Sequence, residues 1–262
     1  MIKKQITHGC FISCYINVVT LKTKLLGRMC FYNSMSKKAQ QLAARYGRKS
    51  DIIEIAKEIL EEQYRQAAFT NPDCAIVTTS EELEVRKWGL IPFWCKTEED
   101  AEKMRKFTYN ARSETVFELP SFRGPILSKR CIVPSTGYFE WRHETDGTKS
   151  PYFIYVKDLD IISFAGVYDS WLNKQTGEVI NTFSILTTQA NELTGFIHNN
   201  PKTGNRMPVI LEPEQEERWL DPALKRPEIA AMLRTFEAER MDARTIKNDF
   251  LKKNPKDPSI LM

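Results

Sequence analysis

Between Ser36 and Tyr46 the run SKKAQQLAARY repeats its apolar and small residues at helical spacing. Ser36 is placed to cap the first turn and Gly47 to end the last. A second helix is predicted from Asp51 to about Gln66, because Ile52, Ile55, Ile59 and Leu60 fall on one face. Short β-like runs follow at Cys74–Thr78, Glu84–Trp88, Lys129–Val133, Tyr152–Val156, Ile161–Tyr168, Val179–Thr187 and Met207–Leu211. Helical spacing returns at Glu98–Lys106, Glu192–His198, Pro213–Leu220 and Glu228–Arg240. Strands arrive in clusters without regular alternation with helices, which predicts an α+β fold rather than a doubly wound sheet. No internal repeat and no linker rich in Pro, Gly or Ser divides the chain. One compact domain is expected over residues 29–251, preceded by a leader at 1–28 and followed by a polar tail at 252–262.

Fourteen Phe, nine Tyr and five Trp among 262 residues can fill a sizeable core, which excludes a disordered tail or a fibrous repeat. No apolar run approaches the ~18–20 residues that a membrane span needs. The net charge of +4 invites a nucleic-acid reading, but residues 1–28 carry Lys3, Lys4, Lys22, Lys24 and Arg28 and no acid. The rest of the chain holds 33 basic and 34 acidic residues, so any nucleic-acid site must be a local patch. Within the leader the apolar stretch from Cys10 to Val19 is broken by Ser13 and Asn17, and no small-x-small cleavage site follows. A weak targeting segment, a propeptide and upstream sequence ahead of the true start remain three readings of it. Met29 stands directly before Cys30. The six cysteines, at 10, 14, 30, 74, 95 and 131, form no C-x-x-C pair, which fits free thiols in a reducing, cytoplasmic setting. His8, Cys10 and Cys14 match no zinc spacing, and no metal or cofactor is expected.

Candidate chemistry is narrowed by scarcity. Of three histidines, His8 lies in the leader and His143 in a polar turn, whereas His198 ends a helical segment beside Asn199, Asn200 and Pro201. The run Asn110-Ala-Arg-Ser-Glu-Thr115 offers an amide, a guanidinium and a hydroxyl within four residues, suited to gripping a phosphate and orienting a nucleophile. The same run also reads as a helix start capped by Ser113. Lys129 to Trp141 reads as a buried strand, a turn and a second strand carrying Glu140 between Phe139 and Trp141. An inward Glu140 would be desolvated toward the range of a general acid–base, an outward one would be a surface residue, and strand parity alone leaves both open. Trp88-Gly-Leu-Ile-Pro-Phe-Trp94 could stack on bases or fill the core.

Taken in order, Met29-Cys30, WGLIPFW (88–94), NARSET (110–115), KRCIVPSTGYFEW (129–141), ILTTQAN (185–191), IH (197–198) and RMPVIL (206–211) resemble the SRAP family. These are the SOS-response-associated peptidase proteins, also described as abasic-site processing proteins, and the resemblance spans about residues 29–221. It implies a single α+β domain with a strand-rich, barrel-like core flanked by helices, and a groove for single-stranded DNA. It also implies loss of the initiator methionine, so that Cys30 becomes N-terminal and captures the aldehyde of an abasic site. By motif position Asn110 holds the amine, Glu140 is the acid–base carboxylate, and His198 assists sugar opening and proton transfer. Arg112 and Ser113 fall on the phosphate side, Thr187 and Arg206 where further DNA or active-site contacts are expected, and Trp88 at a stacking position beside the lesion. Two departures stand out. The family's Cys-Gly-Arg opening is Cys30-Phe31-Tyr32 here, and seven residues (Asn199 to Asn205) separate His198 from Arg206.

An N-terminal cysteine places an amine and a thiol two carbons apart. Its α-amine has an ordinary pKa of ~7.7–8.0 against ~10.4 for lysine, so far more of it is nucleophilic near neutrality. The expected activity is therefore crosslinking to abasic sites in single-stranded DNA, with lyase activity through the imine, by a monomer that binds DNA in the nucleoid and no membrane. A cysteine peptidase built on Cys30, His198 and Glu140, acting on the Met29–Cys30 bond, is a second class. A non-catalytic single-strand binder using Trp88 and Arg112 is a third.

Overall fold

The computed structural model describes residues 31–49, 61–200 and 205–262. The leader, Cys30 and most of the helix expected at Asp51 to Gln66 lie outside them. Among the described residues there are thirteen strands in two sheets and six α-helices, the mixed α+β class that the patterning predicts.

The first sheet joins β1 (Tyr32–Met35), β2 (Gln63–Ala67), β7 (Gly137–His143), β8 (Lys149–Val156) and β13 (Met241–Thr245) in the order β13-β8-β7-β1-β2. The second is built on β3 (Asp73–Ile76), β4 (Glu84–Trp88), β9 (Ile162–Leu172), β10 (Val179–Gln189) and β12 (Ile210–Leu211), ordered β12-β9-β10-β4-β3. β5 (Asn110–Arg112) and β11 (Arg206–Pro208) add to β10, and β6 (Arg130–Ser135) adds to β9. Among the described residues both sheets are open, so the core expected as barrel-like is two facing sheets rather than a closed barrel. Tyr138, Ile154 and Val156 of the first sheet pack with Ile76, Trp88, Phe164 and Phe183 of the second in one core, so the sheets lie face to face. A second core, with Leu90, Ile132, Leu186 and Trp219, binds the helices to the other side of the larger sheet.

Three departures from the expected elements have physical causes. Gln63 to Gln66, expected at the end of a helix, are in β2, whose backbone pairs antiparallel with β1 from Tyr32↔Ala67 to Met35↔Gln63. Met207–Leu211 is two strands, not one. The Val209 N–H donates to the Leu186 carbonyl on β10 and its carbonyl accepts from Ala165 on β9, so the chain changes partner at that residue. The helix expected through Arg240 spans only Arg226–Met232, and Phe236 then turns into the core.

The outer face of the five-stranded sheet carries its own aromatic cluster of Phe139, Phe153 and Phe250 with Tyr32 and Trp141 alongside. Residues 252–262, expected as a polar tail, form a 3-10 turn over Pro258–Leu261 that lays Ile260, 1 % exposed, on this cluster. Gly137 makes the tight entry into β7 at φ +149°. A Cβ there would meet the Ile154 carbonyl at 2.6 Å and the Phe153 ring, so only glycine fits. No described helix is long and apolar enough to cross a membrane.

Candidate active site

Alternation along β7 decides which way its carboxylate faces. Phe139 and Trp141 point to the outer aromatic cluster, so Tyr138 and Glu140 share the opposite face. Glu140 is 6 % exposed, which settles the parity that the sequence left open in favour of the inward reading. Facing it is the helix Glu192–Ile197, opened by Asn191, whose side-chain oxygen accepts from the Thr194 N–H at 2.9 Å.

That helix is fastened to β7 at three levels. The Tyr138 and Thr194 hydroxyls are 2.8 Å apart, and Arg142 donates to the Phe196 carbonyl while its guanidinium lies 3.7 Å from the centre of the Phe196 ring. Asn199 accepts from the His143 N–H at 2.8 Å and donates to the His143 carbonyl at 2.9 Å. This stitching delivers His198, itself buried, with Nδ1 3.9 Å from Glu140 Oε1 and 3.3 Å from the Arg206 carbonyl.

The NARSET run forms the adjoining wall. Asn110–Arg112 is a strand parallel to β10, pairing Ile185↔Asn110 and Thr187↔Arg112, and residues 113 onward are turns rather than a helix capped by Ser113. The Ser113 N–H instead donates to the Thr187 carbonyl at 2.9 Å. Within β5, Ala111 is buried in the core while Asn110 and Arg112 sit half-buried on the other face. Burial and then the neighbouring Arg206 hold the Arg112 guanidinium below its ordinary pKa, and Glu114 counteracts them. Burial alone would raise the Glu114 carboxyl, but hydrogen bonds from Arg206, its own backbone and Ser113 outweigh it and hold it below the usual carboxylate range. The described chain enters this region at Phe31, the residue after Cys30. The Phe31 ring meets the edge of Tyr109 at 5.9 Å and its carbonyl accepts from the Ala68 N–H at 2.8 Å.

Three residues expected at DNA or active-site contacts are buried. Trp88 is 1 % exposed, donates from Nε1 to the Tyr109 carbonyl at 2.8 Å and stacks on Phe183, so it has no face to offer a base. Thr187 is fully buried between β5 and β11. Arg206 is buried too, its guanidinium held by Glu114 and the Thr187 carbonyl.

The exposed aromatics of the WGLIPFW run are Phe93 (68 %) and Trp94 (40 %), which the patterning did not single out. Buried side chains grip the backbone around them. The Ile91 N–H donates to Thr182 Oγ1 at 2.9 Å, the Phe93 N–H to Asp169 Oδ2 at 3.2 Å, and Trp171 Nε1 to the Cys95 carbonyl at 2.7 Å. Phe107 is a third exposed ring, ahead of the NARSET strand. The available sequence signal was Pro92 at a turn, which the Cys95 N–H closes on the Pro92 carbonyl at 3.1 Å with Phe93 and Trp94 at its tip.

Among the described residues Cys74, Cys95 and Cys131 are all buried, and burial pushes the Cys95 thiol up to about 12 and the other two higher still. None is a poised nucleophile. The described residues contain no group of three or more His, Cys, Asp or Glu able to hold a metal ion.

Residues 29–252 match the SOS response associated peptidase (SRAP) family. The chain is 37 % identical over 218 residues to the abasic site processing protein YoqW of Bacillus subtilis, covering 80 % of this chain and 92 % of that one. It is also 37 % identical over 155 residues to the abasic site processing protein HMCES of Gallus gallus, over 52 % of this chain and 44 % of that one. A crystal structure of a Bacteroides thetaiotaomicron protein superposes with a TM-score of 0.86 at 59 % identity, covering 88 % of this chain and 98 % of that one. With the motif order, the α+β architecture and the match over residues 29–252 in agreement, the chain belongs to the SRAP family.

Proposed function

We propose that this protein processes abasic sites in single-stranded DNA by capturing them covalently on Cys30. The observation that carries the reading is the pairing of two buried proton carriers, Glu140 and His198, 3.9 Å apart, beside the strand carrying Asn110 and Arg112. Proton carriers placed in this way suit a reaction that must expel water, and the names of the Bacillus subtilis and Gallus gallus relatives supply the substrate.

The Cys30 amine adds to the aldehyde of the ring-opened deoxyribose, forming a C–N bond and a carbinolamine. Protonation of its hydroxyl expels water and leaves an imine, work that suits Glu140. The Cys30 thiolate then adds to the imine carbon, and the former imine nitrogen takes a proton, closing a five-membered thiazolidine. The net change is aldehyde plus aminothiol giving thiazolidine plus water. Asn110 orients the amine, Arg112 and Ser113 receive the adjacent phosphate, and His198 moves protons on the sugar. A half-buried guanidinium whose charge burial disfavours is a receptive place for an anion. Phe93, Trp94 and Phe107 offer faces for the flanking bases.

The chemistry requires a free amine, so the reacting form begins at Cys30, with residues 1–28 outside the mature domain. Initiation at Met29 followed by methionine removal gives that form most simply. The family's description as a peptidase favours a second route. Cleavage of the Met29–Cys30 bond by Cys30, His198 and Glu140 would release the same amine.

The test is to incubate protein that begins at Cys30 with abasic and intact oligonucleotides and resolve the products on a denaturing gel. A band of retarded protein only with the abasic strand is expected. Retention of both strands on a native gel with no denaturant-stable band would leave a non-covalent binder.

A further inference from the structure

Arg206 opens β11 as a buried residue whose connections reach both walls of the site. Its Nη1 and Nη2 donate to the two carboxylate oxygens of Glu114 at 2.6 and 2.8 Å, and Nη2 also donates to the Thr187 carbonyl at 2.7 Å. Its own carbonyl lies 3.3 Å from Nδ1 of His198. Glu114 stands two residues after Arg112, so one side chain ties the strand of Asn110 and Arg112 to the backbone that orients the imidazole. A bidentate pair fixes rotation as well as position, which a single contact does not.

We infer that Glu114 and Arg206 are positioning residues that hold neutral His198 in the Nδ1–H tautomer, with Nε2 as its basic nitrogen. A carbonyl oxygen can only accept, so the contact with Arg206 places the proton on Nδ1. The Glu140 carboxylate, 3.9 Å from the same nitrogen, favours a proton there as well. Imidazole thereby presents one defined nitrogen for proton transfer, while the same clamp ties the end of β5 to β11. The reach of this role into catalysis rests on the covalent reading above. The tautomer does not.

The test uses 15N-histidine-labelled protein that begins at Cys30, whose spectrum carries signals from His143 and His198, the first assigned by His143→Gln substitution. In neutral His198 the Nδ1–H pattern is expected in the parent, and a tautomer mixture in Glu114→Gln and Arg206→Lys. Adduct formation with an abasic oligonucleotide should fall roughly tenfold or more in both, as misplaced groups do. Glu114→Asp, which keeps the charge, should return most of the rate. Thermal melts establish that each variant is folded. If Arg206→Lys melts early, Glu114→Gln, at a carboxylate that is partly in solvent, carries the test. An Nε2–H tautomer in the parent overturns the inference, as do folded variants that keep both tautomer and rate. If the tautomer shifts as expected while no chain forms an adduct, the covalent reading falls and the positioning role stands.

Discussion

Replacing Glu140 by glutamine separates proton transfer from packing. The substitution conserves volume at a position only 6 % exposed on the inner face of β7, so Tyr138 and the helix ahead of His198 keep their seats. What is lost is a group that can give a proton to the departing hydroxyl of the carbinolamine. General acid–base catalysis contributes about 10²- to 10⁴-fold, or roughly 3–5 kcal/mol of barrier. His198, with Nδ1 3.9 Å from the carboxylate, can supply part of that proton traffic, so the lower end is expected, about a hundredfold. Binding to an intact strand should change by less than about twofold, because a buried carboxylate makes no phosphate contact and few base contacts. The assay is single-turnover adduct formation under saturating protein, paired with fluorescence anisotropy on the intact oligonucleotide. Unchanged adduct kinetics would remove Glu140 from the chemistry. Equal losses in rate and binding would make it a structural residue.

Arg112→Ala should weaken binding to every single strand and lower the magnitude of the salt slope by about 0.7, the share of one phosphate contact, in anisotropy titrations across salt. An unchanged slope would take Arg112 out of the groove. Trp94→Ala should cost about 1–3 kcal/mol of strand affinity with little change in melting, whereas Trp88→Ala should cost about 3–5 kcal/mol of stability in urea denaturation. The reverse pattern would restore Trp88 as a stacking residue. Ile260→Ala should destabilise the fold by about 2–5 kcal/mol, because its side chain is buried on Phe139 and Phe250. A change within experimental error would make residues 252–262 the solvated tail their composition implies.

The periodicity made the strands legible, since Glu84–Trp88 falls on β4 residue for residue and β8, β9 and β10 begin or end within a few residues of their patterns. What it left out has a common cause, namely partners distant in sequence. β2 is a strand because β1 pairs with it, and Met207–Leu211 breaks because β10 and β9 each claim part of it. The same holds within the site. The types and order of Asn110, Arg112, Glu140 and His198 were readable from motifs, but the direction of Glu140 depended on which face Ile246, Phe250 and Ile260 cover. Trp88 and Arg206 were expected at contacts by motif position, yet Tyr109 and Phe183 enclose the first and Glu114 holds the second. Glu114 itself read as a first-turn helix residue, and only the approach of β11 makes it a clamp.

The central claim is that a free α-amine on Cys30 does the capturing, and intact-mass analysis of the adduct tests it most directly. Protein beginning at Cys30 and protein carrying one extra residue before Cys30 are each incubated with the same abasic oligonucleotide. The account expects a species of protein plus oligonucleotide less one water from the first alone. The second, whose Cys30 nitrogen is an amide with no nucleophilic lone pair, should bind the strand and form no such species. An equal yield of adduct from the chain with the extra residue would contradict the account and move the nucleophile elsewhere.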